Sequence, residues 1–314
     1  MTDRIAFLFP GQASQKVGMG RDLVDAFPEA KAVFDAATEV LGFDLPKLCF
    51  EGPMEELTET RNAQPAILLH SVAVATVLRE RLGFVPDFVA GHSLGEFSAA
   101  AAAGSLSADD ALRVVRRRGE LMWDAGQQVP GTMAAVMGLE PDAIQDVLEG
   151  VDAGRVVLAN LNSPAQSVIS GDVEAVEAAA EPLKAAGARR VMPLNVSGAF
   201  HSPLMEVVQG AFAEFLDGIR FADPGAQVVV NVTAQAVRSG DDLRKGFVDQ
   251  LVSPVRWHES VAFMVKQGVS TFVEVGPGNV LTTLGARSFR NAEFIATSDA
   301  EGTEKVLALL KGRG

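Results

Sequence analysis

The sequence predicts an α/β protein: a mainly parallel sheet covered by helices on both faces, with a small βαββαβ unit inserted into it. Three observations predict this. Short apolar runs that read as buried strands alternate with longer helical stretches, the pattern of a parallel sheet. A serine bounded by glycines stands where one such run hands over to a helix. A compact cycle of strands and helices interrupts the series between residues 129 and 197.

The first strand is RIAFLF at 4–9, followed at once by Pro10-Gly11-Gln12. Residues 22–41 read as one helix, and Pro65 suits the first turn of a second helix that runs to about 82. The stretch 85–104, VPDFVAGHSLGEFSAAAAAG, is central. Phe88, Val89 and Ala90 form a buried strand, and 97–103 are strong helix formers that stop at Gly104. Between them Gly91-His92-Ser93-Leu94-Gly95 fits G-x-S-x-G, the nucleophile-elbow pattern. A serine raised on a tight strand-to-helix turn needs neighbours without a β-carbon, and Gly91 and Gly95 supply that clearance. The amides that follow lie at a helix N-terminus, where negative charge is favoured.

Ser107-Ala108-Asp109-Asp110 caps the next helix, which ends near Gly126. At about 100° per residue, Ala111, Val114, Val115, Leu121, Met122 and Ala125 share one face. Arg118 falls in the middle of that face. A buried guanidinium without an anion is costly, so Arg118 is either paired inside the protein, snorkelling to a rim, or aimed at an anion in a pocket. Arg116 and Arg117 read as solvated surface.

The inserted cycle has strands over 133–137, 156–161, 167–170 and 189–194 and helices over 142–148 and 173–186. That order is ferredoxin-like, with Asn162-Ser163-Pro164 as its central turn. The expected division is therefore a large domain of 1–128 and 198–314 and a small domain of 129–197. The large domain resumes at 196–205, continues with a helix to about 218, a strand at 228–232 (VVVNV) and a helix over 241–251. After a further helix, TFVEV at 271–275 is a buried strand, and a strand at 294–296 and a helix at 303–310 close the chain.

Composition narrows the function classes. With 314 residues the chain holds one large or two modest domains, and 48% hydrophobic residues mark it as globular. A net charge of −13 argues against nucleic-acid binding, which needs a basic footprint. Residues 66–78, the longest apolar stretch, are interrupted by His70, Ser71 and Thr76 and are too short for a bilayer. The start of the chain lacks the basic segment and cleavage site of a signal peptide. The single cysteine, Cys49, reads as core and suits a reducing cytoplasm. One cysteine and four scattered histidines make no metal-ligand spacing, so no metal is expected. No P-loop or complete GxGxxG is present either, since Leu281 stands where the third glycine after Gly276 and Gly278 would be, and no other cofactor is expected.

A serine hydroxyl needs a base, and histidine is the usual one near neutral pH. His70 lies in an apolar helix and reads as core, His92 adjoins Ser93 and points away from it, and His258 reads as structural. His201, in a loop among small residues, is the candidate base. Every acid between Ser93 and His201 in hydrolase order falls in the inserted unit. A Ser–His dyad with the imidazole held by a backbone carbonyl therefore fits better than a triad.

Taken together, FPGQASQKVGMG, GHSLGEFSA, RRRGELM, NSPAQSVISG, GAFHSPLM, SPVRWHESV and VEVGPGNVL span nearly the whole chain. In these motifs the sequence resembles the malonyl-CoA:acyl-carrier-protein transacylases and the similar acyltransferase domains of polyketide synthases. The resemblance implies a hydrolase-like α/β domain with a ferredoxin-like insertion. It also implies Ser93 as nucleophile, His201 as base and then acid, and Gln250 as the residue whose carbonyl orients His201. Gln12 and Leu94 would form an oxyanion hole through their amides, and Arg118 would hold the malonyl carboxylate. Phe200 matches the malonyl-type pattern, where methylmalonyl-type domains usually carry serine. The resemblance implies a supply of extender units for fatty-acid synthesis; the alternative is a discrete polyketide-type malonyl acyltransferase, because GAFH looks more like the synthase-domain version. Malonyl-CoA and acyl carrier protein would be the partners. The competing readings are a serine esterase or thioesterase, which needs no buried cation, and a non-catalytic carrier-binding module, against which the Ser93 and His201 pair speaks.

Overall fold

The computed structural model describes residues 4–83 and 85–311. Residues 1 and 314, the outer bounds expected for the large domain, lie outside them. The chain begins with β1 (Arg4–Phe9), α1 (Arg21–Ala26), α2 (Pro28–Leu41), α3 (Leu45–Glu51), α4 (Met54–Thr58) and α5 (Thr60–Leu82). Next come β2 (Phe88–Gly91), α6 (Gly95–Ala102) and α7 (Ala108–Gln128). The inserted cycle is β3 (Thr132–Met137), α8 (Pro141–Leu148), β4 (Val156–Ser163), β5 (Gln166–Gly171), α9 (Val173–Ala185) and β6 (Arg190–Pro193). The remainder is α10 (Glu206–Asp217), β7 (Gln227–Val230), β8 (Gln235–Val237), α11 (Gly240–Gln250) and α12 (Trp257–Lys266), then β9 (Val269–Glu274), α13 (Val280–Ser288), β10 (Glu293–Ala296) and α14 (Ala300–Leu310).

Two sheets result. The larger has the order β10-β9-β1-β2-β7-β8 and is parallel except for β8, which pairs antiparallel with β7 at the edge. Successive side chains of a strand point to opposite faces, so each face has its own core. Phe7, Phe9, Val89, Val228 and Val273 pack with α5, α6 and α7. Ala6, Leu8, Phe88, Val229 and Phe272 pack on the other face with Trp257, Val261 and Leu281 from α12 and α13. Every residue of β2 is buried, as a central parallel strand requires.

The smaller sheet is fully antiparallel with the order β4-β5-β3-β6, the ferredoxin-like arrangement. Its core is Ala134, Val136, Ile169, Ile144, Val176 and Leu183, from strands β3 and β5 and helices α8 and α9. Val255, just before α12, joins β4 through Val255 N–H to Ala159 O at 2.8 Å and Leu161 N–H to Val255 O at 2.9 Å. That link sets one edge of the small sheet beside the serine turn.

The structure departs from the sequence expectations at several places. The helix expected over 22–41 is two helices, because Phe27 is extended ahead of Pro28, as a residue preceding proline prefers. Pro65 lies inside α5, which starts at Thr60. A proline there has no N–H for the carbonyl of Arg61. Arg116 Nη1 donates to that carbonyl at 2.9 Å and to Asn62 Oδ1 at 2.7 Å, so Arg116 is a structural link and not plain solvated surface. The turn of the small sheet is Pro164-Ala165; Asn162 belongs to β4. Helices α3, α4 and α13 and the edge strand β8 were not expected, and Asn231 ends β7 instead of continuing it. Cys49 is buried in α3, where burial pushes its thiol up to about 12.

Candidate active site

The elbow between β2 and α6 is built on close contact. A β-carbon on Gly91 would lie 1.9 Å from the carbonyl carbon of Gly95, and one on Gly95 would lie 2.1 Å from Phe9 O. No other residue type fits either position. Ser93 itself has φ +52°, a left-handed conformation that costs a non-glycine residue about 1–3 kcal/mol. His201 (φ +58°) and Ala13 (φ +75°) share it. Ser93 and His201, two of the four such residues described, are in direct contact, so the strain is held where the two side chains meet.

Ser93 Oγ and His201 Nε2 lie 2.7 Å apart, and His201 Nδ1 lies 2.9 Å from the main-chain oxygen of Gln250. A carbonyl oxygen only accepts, so Nδ1 carries the proton and Nε2 accepts from the Ser93 hydroxyl. No carboxylate contacts the imidazole among the described residues, so the arrangement is a dyad held by a carbonyl. Burial and then the Arg118 charge lower the His201 pKa to about 3.

Arg118 comes to this dyad from the buried face of α7 and is 1% exposed. Nη2 donates to Ser93 Oγ at 3.1 Å and to Gln250 Oε1 at 2.9 Å, and Nη1 donates to Gln64 Oε1 at 2.7 Å. Its Nε has no hydrogen-bond partner among the described residues. Every one of its hydrogen bonds is to a neutral oxygen, and its guanidinium lies over the Phe97 ring, 5.4 Å from the centroid. The nearest counter-charge is Glu96, buried in the first turn of α6, whose field opposes the effect of burial on Arg118 without forming an ion pair. Burial lowers Arg118 to about 9 and pushes the Glu96 carboxyl up to about 7. The guanidinium thus stays charged at neutral pH, with no carboxylate bonded to it among the described residues.

Gln12 lies in the loop after β1, which touches the elbow closely: a β-carbon on Gly11 would sit 2.8 Å from His92 O. Around the turn, Ser93 N–H donates to Asn231 Oδ1 at 2.8 Å and Gly95 N–H to His92 O at 3.0 Å. The N–H groups of Leu94 and Gln12 have no protein acceptor among the described residues, so two donors remain open near Ser93. His92 does point away from Ser93: its Nε2 meets Asn162 Oδ1 at 2.8 Å. Phe200 is buried beside His201. An open cleft of about 420 Å³ adjoins Gln12 and is lined by Thr60, Trp123, Gln127 and Ser197 among others.

The comparison with known families now bears directly on this geometry. The family model described as "Acyl transferase domain" matches residues 6–308. The chain belongs to the acyl transferase domain family. The malonyl CoA-acyl carrier protein transacylase of Bacillus subtilis (strain 168) is 46% identical over 310 residues, covering 98% of both chains. The Escherichia coli (strain K12) protein of the same name is 44% identical over 285 residues, 90% of this chain and 92% of that one. Among solved structures, a type II PKS malonyl-transacylase in complex with its acyl-carrier protein superposes with a TM-score of 0.94 at 42% identity. It covers 98% of this chain and 100% of that one.

Within this family frame, the structure brings Ser93, His201, Gln250 and Arg118 into one hydrogen-bonded group, with Gln12 and Leu94 beside it. Sequence reasoning missed Gln64, Glu96 and Asn231, which hold that group from behind. The one available signal was polarity: Asn231 interrupts the run VVVNV, and Glu96 is the one charged residue in the stretch GHSLGEFSAAAAAG.

Proposed function

We propose that this chain transfers the malonyl group from malonyl-CoA to the phosphopantetheine thiol of an acyl carrier protein through a malonyl ester on Ser93. The observation that carries the reading is Arg118: a buried, charged guanidinium bonded by the protein only to neutral oxygens, 3.1 Å from the hydroxyl of Ser93. A malonyl carboxylate would pair with it and set the thioester carbonyl beside Oγ. A bidentate guanidinium–carboxylate pair is among the strongest of such contacts.

The chemistry balances in two halves. Ser93 Oγ attacks the thioester carbon while His201 Nε2 takes its proton. The tetrahedral oxyanion is held by the N–H groups of Gln12 and Leu94, and the C–S bond breaks as His201 returns the proton to the leaving CoA sulfur. The carrier thiol then attacks the ester, gives its proton to His201 and receives the malonyl group, and Ser93 regains its proton. Protein side chains suffice for this route, with no cofactor. Phe200 closes the acyl side of the pocket, and the cleft beside Gln12 admits the pantetheine arm. The cytoplasm is the proposed setting.

The test is direct. Incubation with malonyl-CoA followed by peptide mass spectrometry should find malonyl on Ser93, and Ser93→Ala should abolish both the adduct and transfer. A Ser93→Ala protein that still carries covalent malonyl would sink the assignment. An esterase would instead release free malonate faster than the carrier is loaded.

A further inference from the structure

We propose that Asn231 is the positioning residue that fixes the main chain of Ser93 in its left-handed turn, and that Glu96 in turn fixes Asn231. The inference rests on the reading of Ser93 as nucleophile.

Asn231 is the first residue after β7. That strand runs parallel to β2 with Val229 opposite Ala90, so the carboxyl ends of both strands lie at the same edge of the sheet. Asn231 is fully buried. Its side chain spans the elbow: Oδ1 accepts Ser93 N–H at 2.8 Å, and Nδ2–H donates to Gly91 O at 2.7 Å. Those two groups lie on either side of His92, where the β2 ladder has ended and the helix has not begun. The asparagine amide thus replaces the strand partner that the turn lacks.

Asn231 is held in its own right. Its main-chain N–H donates to Glu96 Oε2 at 2.7 Å, and its carbonyl accepts Arg256 N–H at 3.2 Å. Gln250 Nε2–H donates to Ser93 O at 3.2 Å and to Asn231 Oδ1 at 3.4 Å, which closes the ring. The effect on the reacting atoms is specific. With Ser93 N–H taken by Asn231 and Gly95 N–H by His92 O, the Leu94 N–H is the one elbow amide left to face the site. Remove the Asn231 side chain, and Ser93 N–H is left unpaired in a buried turn whose strain nothing else at that amide restrains. Arg118 loses no contact, since its partners are Gln64, Ser93 and Gln250. Chemistry and substrate binding should therefore separate.

The experiment uses the full chain and two readouts: the rate at which a fluorophosphonate labels Ser93, and steady-state kcat and KM with malonyl-CoA. In Asn231→Ala both labelling and kcat should fall on the order of 10- to 100-fold, the scale of one unsatisfied buried donor. KM should move by no more than about twofold, since Arg118 keeps its own bonds. Folded Asn231→Ala that labels at the wild-type rate overturns the proposal, as does a loss expressed in KM alone. If Asn231→Ala does not fold, Glu96 decides. Glu96→Gln keeps an oxygen for Asn231 N–H and should label within about threefold of wild type, whereas Glu96→Ala should lose about tenfold or more. Equal rates in the two Glu96 variants overturn it. Failure of the underlying reading looks different: unmutated protein would then acquire neither label nor malonyl on Ser93.

Discussion

Arg118 Nη2 and His201 Nε2 engage the same atom, Ser93 Oγ, at 3.1 and 2.7 Å. The hydroxyl donates to the imidazole and accepts from the guanidinium. One contact takes up the proton on attack, and the other sets the guanidinium beside the acyl group that the serine would carry. Both contacts have separate consequences for selectivity and for pH.

The selectivity prediction follows from the buried charge of Arg118, which the protein meets only with neutral oxygens. Malonyl carries a carboxylate that acetyl lacks, and a buried polar group left unpaired by the wrong substrate discriminates strongly. Arg118→Ala should cost malonyl transfer on the order of 3–5 kcal/mol. Acetyl transfer should hold or rise, because the unpaired charge is gone. Arg118→Lys should rescue incompletely, since an ammonium cannot make the planar two-bond contact. The measurement is kcat/KM for malonyl-CoA and acetyl-CoA in all three proteins; equal losses on both substrates would make Arg118 a structural residue.

How far the sequence foretold this site depends on the range of each signal. The elbow and its flanking strand and helix were legible because G-x-S-x-G, the apolar run and the helix formers are contiguous. Arg118 was legible as an anomaly on its helix face, but periodicity cannot say what a buried side chain touches. Gln64, near the start of α5, and Asn231, at a strand end, meet Arg118 and Ser93 only through the fold. The Asn162 turn was misplaced by two residues because proline and serine suit a turn at several registers. Arg116 was misread because its partner, the carbonyl freed by Pro65, is 55 residues away.

The pH prediction concerns His201. Its pKa of about 3 lies well below the ordinary 6.5, so the base stays neutral throughout mild acid. An unperturbed histidine base would lose about tenfold in kcat/KM between pH 7.5 and 5.5. Here kcat/KM for malonyl-CoA should show no such limb from His201. Glu96 sits near 7 and must be told apart from it. A limb near 6.5 that persists in Glu96→Gln would show His201 titrating as an ordinary imidazole.

Stability should respond to a different histidine. His70 is buried in α5 with Nδ1 unpartnered, and burial lowers its pKa from 6.5 to about 4. Above 6.5 neither folded nor unfolded chain protonates it, so it makes no pH-dependent contribution there. As pH falls from 6.5 to 4, the unfolded chain takes up the proton first and stability is lost, by up to about 3 kcal/mol. His70→Leu should flatten the acid side of the stability curve by one proton. Urea midpoints measured across that window in both proteins check this, and parallel curves would count against it.

The last prediction concerns the carrier protein. Acyl carrier proteins are acidic, and this chain has a net charge of −13, so attraction must be local. Arg189 and Arg190 lead into β6 on the small sheet, and Arg287 and Arg290 lie at the end of α13 and just beyond it. All four are exposed, and none forms an ion pair among the described residues, in contrast to Arg81 on Glu29 or Arg256 on Glu259. Free surface cations cost nothing to leave in water, but they are also the ones available to an incoming carboxylate. If they guide docking, Arg189→Glu with Arg190→Glu, or the same reversal at Arg287 and Arg290, should raise KM for the carrier. KM for malonyl-CoA should not move, since CoA is bound before the carrier arrives. Added salt should weaken the carrier half-reaction in the wild type and less so in the reversed protein, because screening acts on exposed charges within about 10 Å. The decisive comparison is the two half-reactions measured separately over a salt series: if reversal slowed acylation by malonyl-CoA as much as transfer to the carrier, these arginines would serve the fold or the CoA site and not carrier docking.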